Sequence, residues 1–312
     1  MTCFLICLQT VIPKLAPLER LTAQKVKQHG VDLFMPVFLR VMADFFKLRQ
    51  FCLGHNFAKG RYVDLLISIL PFEKDWYASR GISHVEYVGS PLAREVHVSL
   101  EKSEFCSNYF LDPSRPIVAL LPGSRTKEVT KIFPTMLKAA AKMHSRDTKL
   151  QFAVALADER FRPLAADAVE SITDAPQEFR DSISLISGAT YDLLNAADTA
   201  AVASGTATLE TGIIGTPMVI VYKTTALNYK LLRPLIDVEH FGLINLIAGE
   251  RIAKELIQDE FTPEALGEEL FRLLDPVNNG LVREKLRSAT DKLGHGGASK
   301  RAAEAIARLL EY

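Results

Sequence analysis

The chain is poor in cysteine, neutral in charge and without a long apolar run, and each shortage removes a class of protein. Its 312 residues hold four cysteines, Cys3, Cys7, Cys52 and Cys106, with no CxxC pair. That spacing argues against a disulfide frame and a zinc site, and reads as reduced thiols of a cytosolic protein. Basic and acidic side chains number 37 each, so the formal net charge is zero. Nothing here favours nucleic acid as a partner. No apolar stretch reaches the length needed to span a bilayer. The histidines (His29, His55, His84, His97, His144, His240, His295) show no metal-ligand spacing. The GxSxG, HExxH and P-loop patterns are missing as well, which weakens hydrolase and metalloenzyme readings. The uncharged start, Met1 to Ile12, lacks the basic residues and cleavage site of a signal peptide and reads as a buried strand or a frayed end.

What remains is an ordinary apolar content of 48% and enough length for two cores. We expect a first domain over 1–100 and a second over 113–312. The polar, Pro-marked stretch from Glu101 to Pro116 reads as the boundary. The second domain alternates strand and helix: strands at Ile117–Leu121, Leu150–Leu156, Ile183–Ile186, Thr199–Ala203 and Met218–Tyr222, with helices at Phe133–His144, Phe161–Ile172, Tyr191–Ala197 and Thr206–Ile214. Alternation of this kind predicts a parallel, doubly wound sheet. Helices dominate after Thr262. In the first domain, strands are expected at Tyr62–Leu70 and Ser83–Val88. A helix over Pro36–Lys47 carries Phe34, Phe38, Val41, Met42 and Phe45 on one stripe.

Two segments carry the chemistry. Leu121-Pro122-Gly123-Ser124-Arg125 and Ser204-Gly205-Thr206-Ala207-Thr208 each follow an apolar strand and lead toward a helix. A strand–Gly–helix turn aims backbone N–H groups and the positive end of a helix dipole at one spot, which suits a phosphate. Two such turns in one α/β unit predict a nucleotide diphosphate at the strand ends. Arg125 can take a diphosphate oxygen or pair with a nearby carboxylate. The hydroxyls of Ser204, Thr206 and Thr208 can bind an anion or cap the helix. Glu210 can accept ribose hydroxyls or sit as a solvated helix charge. Asn245, in an apolar loop, can bind a ligand or satisfy the backbone. Glu255 and Gln258 read as one helical face, and equally as a solvated edge. Asp64 and Glu73 are weak candidates for a base.

The motifs ILPFE (Ile69–Glu73), YVGSPL (Tyr87–Leu92), LLPGSR (Leu120–Arg125), ASGTATLE (Ala203–Glu210), GTPMVIVYK (Gly215–Lys223) and GLINLIAGERIAKELIQ (Gly242–Gln258) occur in order. Together they resemble the lipid-A-disaccharide synthase family. The resemblance implies an α/β, GT-B-like fold of two Rossmann-like domains, the N-terminal one incomplete. It implies inverting glycosyl transfer from UDP-2,3-diacylglucosamine to 2,3-diacylglucosamine 1-phosphate (lipid X), giving lipid A disaccharide 1-phosphate and UDP. The UDP contacts it implies are Gly123, Ser124, Arg125, Ser204, Gly205, Thr206, Thr208, Glu210 and Asn245, with no cofactor or metal. It also implies a cytoplasmic protein, peripheral on the inner membrane, and allows a homodimer. This chain has Gly89-Ser90-Pro91 where the family usually has Gly-His-Pro, and it lacks the family's N-terminal Ser-Gly-Asp and Asp-x-Pro-x-Phe segments. It therefore reads as an N-terminally shortened member with no identifiable catalytic base. The competing readings are a catalytically impaired UDP- or lipid-binding paralogue and a UDP-N-acetylglucosamine 2-epimerase-like enzyme.

Overall fold

The computed structural model describes residues 63–224, 240–294 and 296–310. The apolar start Met1–Ile12 and the Pro36–Lys47 stripe lie outside the described residues. The chain divides into two compact units, one of Met1–Pro91, Leu227–Val238 and His295–Tyr312, the other of Leu92–Ala226 and Glu239–Gly294.

In the first unit, β1 (Leu66–Ser68) and β2 (Val85–Tyr87) pair in parallel, Leu66 opposite Val85. A parallel pair needs a crossover, and helix α1 (Glu73–Ala78) supplies it. Tyr77, Ile82 and Val85 form a small core with Leu66 and Trp76. Glu73 accepts a 2.5 Å hydrogen bond from the Ser68 hydroxyl, a tie inside the unit. The C-terminal helix, Ala298–Leu310, was expected with the second domain. Its small buried residues, Ala298 and Ala302, instead pack on Val88 and Ile67 of the first unit. Arg301 fixes that packing by donating 2.8 Å to the Val88 carbonyl.

The second unit is built on one sheet. Its strands are β3 (Ile117–Leu121), β4 (Gln151–Leu156), β5 (Ile183–Ser187), β6 (Thr199–Ala203), β7 (Met218–Tyr222) and β8 (Lys254–Ile257). They lie in the order β5-β4-β3-β6-β7-β8, and every pairing is parallel. Every residue of β3, β4 and β6 is buried, as a sheet covered on both faces requires. Counted from β3, the order runs 3-2-1-4-5-6, and the strand order, not the strand direction, reverses between β3 and β6. Leu121 stands opposite Val202, so the two neighbouring strands end side by side.

Three expectations change here. The stretch taken as a domain boundary contains helix Lys102–Asn108, whose Phe105 and Cys106 are fully buried, so it is part of the second unit's core. The helix expected from Phe133 starts at Thr126, and Pro134 sits inside it rather than in its first turn. Residues 254–257 form strand β8, not a helical face.

Candidate functional site

The site grows from the reversal point of the sheet. At the end of β3, the chain turns through Gly123, where φ is +114°, and enters helix Thr126–Arg146 with Arg125 as its N-cap. Glu128, third in that helix, reaches back over the turn. Its carboxylate accepts from Ser124 N–H at 3.2 Å and pairs with Arg125 at 2.5 Å. A capping box would take the N–H of the N-cap itself; here the carboxylate reaches one residue further back, to Ser124. A side chain at position 123 would be strained and crowded, since its Cβ would lie 2.7 Å from the Glu128 carboxylate and 2.8 Å from the Glu128 Cβ.

At the adjacent end of β6, the chain turns through Gly205, the N-cap of helix Thr206–Ile214. No side chain caps this helix. The hydroxyls that could have capped it point elsewhere: Ser204 donates 3.0 Å to the Phe241 carbonyl and Thr208 donates 2.8 Å to the Gly205 carbonyl. The helix start therefore presents N–H groups and a positive dipole end beside the Arg125 turn, without an internal acceptor from a side chain.

Glu210 lies in the second turn of the same helix, partly buried. Loss of water raises its carboxyl pKa above the ordinary value, and a hydrogen bond from Tyr191 opposes that rise. Tyr191 itself is pushed up by burial, and the charges of Glu210 and Glu95 add to the shift.

The third wall is the 240–245 segment. Glu255, buried on β8, accepts from Phe241 N–H at 3.0 Å, Gly242 N–H at 2.9 Å and the Asn245 amide at 2.9 Å. Asn245 also donates 2.7 Å to the Ala253 carbonyl and accepts 2.9 Å from Ala253 N–H. Both of its amide hydrogens are spent inside the fold. It thus takes the backbone-satisfying role that the sequence left open, and it shapes the segment that meets Ser204. Phe241 stacks on Tyr222, with ring centroids 6.4 Å apart. Burial raises the Tyr222 pKa, and the charges of both Glu128 and Arg125 reach that hydroxyl. His240, 7% exposed, has a buried Nδ1 with no hydrogen-bond partner among the described residues. Gln258 exchanges two hydrogen bonds with the Thr224 backbone and stays structural.

Of the residues singled out in the sequence, Gly123, Ser124, Arg125, Ser204, Gly205, Thr206 and Thr208 converge on the two neighbouring turns. Glu210 stands one turn deeper, and Asn245 acts through the adjoining segment. Sequence reasoning missed Glu128, Tyr191, Tyr222 and Phe241. A Glu three residues after a strand–Gly–Arg turn is the capping signal that could have revealed the first.

A parallel sheet of this order, with an uncapped helix start and an arginine-bearing turn at its reversal point, defines a GT-B-like α/β protein. The family model described as lipid-A-disaccharide synthetase matches residues 55–309, and the chain belongs to that family. The lipid-A-disaccharide synthase of Trichlorobacter lovleyi is 40% identical over 252 residues, covering 80% of this chain and 64% of the relative. That of Syntrophus aciditrophicus is 38% identical over 282 residues, covering 90% and 70%. The chain thus spans about two thirds of the length of these relatives. Among solved structures, a UDP-GlcNAc 2-epimerase from Neisseria meningitidis bound to UDP-GlcNAc aligns with TM-score 0.55 at 14% identity, covering 80% of this chain and 63% of its own. An S. aureus MnaA–UDP co-structure gives TM-score 0.55 at 14% identity, covering 81% and 62%. At that identity the likeness speaks to fold alone.

Proposed function

We propose that this chain binds UDP at the reversal point of its sheet and serves glycosyl transfer from UDP-2,3-diacylglucosamine to lipid X, forming lipid A disaccharide 1-phosphate. The observation that carries the reading is the pairing of the Arg125 turn with the uncapped start of helix Thr206–Ile214 on neighbouring strand ends. Departing UDP develops negative charge on its diphosphate, and prearranged donors stabilise that charge without reorganising. Arg125 supplies the guanidinium, the Gly205–Ala207 backbone supplies N–H groups, and Glu210 accepts the ribose hydroxyls. The acceptor hydroxyl attacks the anomeric carbon as the bond to UDP breaks, and its proton passes to a base. Glu73 is tied to Ser68, which suits a structural role better than that of the base. Among the described residues no helix is long and apolar enough to cross a membrane. Acylated substrates nevertheless lie in a bilayer, so we place the chain peripherally on the inner membrane, through the Pro36–Lys47 stripe. A homodimer is compatible with this reading.

The test incubates the full chain with UDP-2,3-diacylglucosamine and lipid X and follows disaccharide 1-phosphate by mass spectrometry. Product and UDP should appear together. UDP binding without product would favour a catalytically impaired paralogue, and neither binding nor product would remove the proposal.

A further inference from the structure

The polar groups gathered at the two turns suit a diphosphate and a ribose, but not a carbon-rich group. An aromatic pair adjoins them. Tyr222 is the last residue of β7. Ser204 N–H donates 2.9 Å to the Val221 carbonyl, so Tyr222 stands directly beside the Ser204–Gly205 turn. Phe241 meets the same turn from the 240–245 segment, its carbonyl accepting from the Ser204 hydroxyl at 3.0 Å. The two rings stack, with centroids 6.4 Å apart and planes 25° from parallel. Both side chains are half-buried.

The backbone that carries the Phe241 ring is fixed on both sides. Its N–H donates to both Glu255 oxygens, at 3.0 Å each. The next residue, Gly242, lies flat on β7, where a Cβ would run into the Ile220 side chain. Apolar area left in water forgoes about 25 cal/mol per Å². A preformed aromatic wall regains that area when a ligand covers it, without the ordering cost of a mobile side chain.

We propose that Tyr222 and Phe241 form the wall against which the diacylglucosamine part of the donor packs, the C–H face of the sugar and the first carbons of its acyl groups lying on the ring pair. This rests on the reading of the two turns as the diphosphate site. The sugar is joined directly to the diphosphate, so it lies within its own length of the Ser204–Gly205 turn, and Ser204 is the residue that holds Phe241 there. The uridine leaves from the other phosphate, toward Glu210 in that reading, so the sugar is the part left to meet a wall on β7. The pair then acts on specificity. It adds affinity for an acylated sugar and none for the nucleotide.

Calorimetry on the full chain compares UDP with UDP-2,3-diacylglucosamine whose acyl chains are short enough to stay monomeric. Phe241→Leu and Tyr222→Leu keep apolar volume and remove a ring face. In each, the acylated donor should bind about threefold to tenfold more weakly, the scale of one aromatic contact, while UDP stays within about twofold of wild type. Equal losses for both ligands would put the pair under the nucleotide or make it a support of the turn, and either overturns the proposal. An acylated donor that fails to bind wild type, or binds both variants unchanged, overturns it too and leaves the diphosphate reading standing. If wild type binds no UDP, the diphosphate reading falls and takes this inference with it. Should neither variant fold, a donor with a diazirine on its first acyl carbons is photolysed on wild type instead. Mass spectrometry should find the adduct on Tyr222 or Phe241 and lose it with excess UDP. Adducts confined to other residues, or none, overturn the proposal.

Discussion

The Glu128 carboxylate sits 2.5 Å from the Arg125 guanidinium and accepts from the N–H just before it, at 3.2 Å. Any diphosphate that uses Arg125 must therefore share the arginine with a resident negative charge. The pair is half exposed, with side chains 40% and 26% accessible, so its Coulomb energy is modest.

Two substitutions separate the partners. Arg125→Ala removes a charged donor and should weaken UDP by about 1.5–3 kcal/mol. Glu128→Gln keeps an oxygen for Ser124 N–H but removes the competing charge. It should tighten UDP about twofold to fivefold at low salt, the reach of an exposed ion pair. Calorimetry at two salt concentrations reads both. Weaker binding in Glu128→Gln would show that the carboxylate aims Arg125 rather than competes for it.

Burial of the Glu210 carboxyl carries a cost in stability. Burial raises its pKa in the folded state, so the native protein binds more protons than the unfolded chain between the ordinary glutamate value and the raised one. Stability then falls as pH rises through that window, and the cost is fully present above the raised pKa. Glu210→Gln should melt higher than wild type at pH 7. Near about pH 4, below the unfolded glutamate pKa, the two should converge. An equal difference in melting temperature at both pH values would mean that ionisation of Glu210 is not what matters.

The sequence made the sheet legible because β3, β4, β6 and β7 are short apolar runs separated by helix-length polar segments, a pattern with one good solution. The two turns were legible for the same reason: each Gly follows a buried strand. Three features were hidden by physics that periodicity does not carry. The 254–257 segment exposes Lys254, buries Glu255 and Leu256, and matches neither a strand's alternation nor a helix's stripe. Helix Lys102–Asn108 buries only Phe105 and Cys106, too few apolar positions to stand out from a polar linker. Glu128 and Tyr191 act through partners chosen by tertiary packing, so each reads alone as an ordinary surface residue. Asn245 was noticed for the right reason, a polar amide among apolar neighbours, but its partners proved to be Ala253 and Glu255.

Glu255 is the side chain on which the 240–245 wall depends. It is 6% exposed, and its oxygens serve two backbone N–H groups and the Asn245 amide. A helix start normally recruits such acceptors from a neighbouring residue in sequence. Here helix Leu243–Ala248 has no side-chain cap of its own, and the acceptor comes from strand β8. Glu255→Ala would leave several donors buried without an acceptor. The expected loss is about 3 kcal/mol or more, since each orphaned donor costs about 1–3 kcal/mol. Glu255→Gln keeps one oxygen for Gly242 and Asn245 but turns an amide toward another donor, so its loss should be about 1–2 kcal/mol. Denaturant unfolding of both variants measures the difference. The folded fraction of Glu255→Gln should still bind UDP, because the Glu255 oxygens are taken up by Phe241, Gly242 and Asn245. A Glu255→Ala protein with wild-type stability would show that water replaces the carboxylate without cost, and the wall would then need another support.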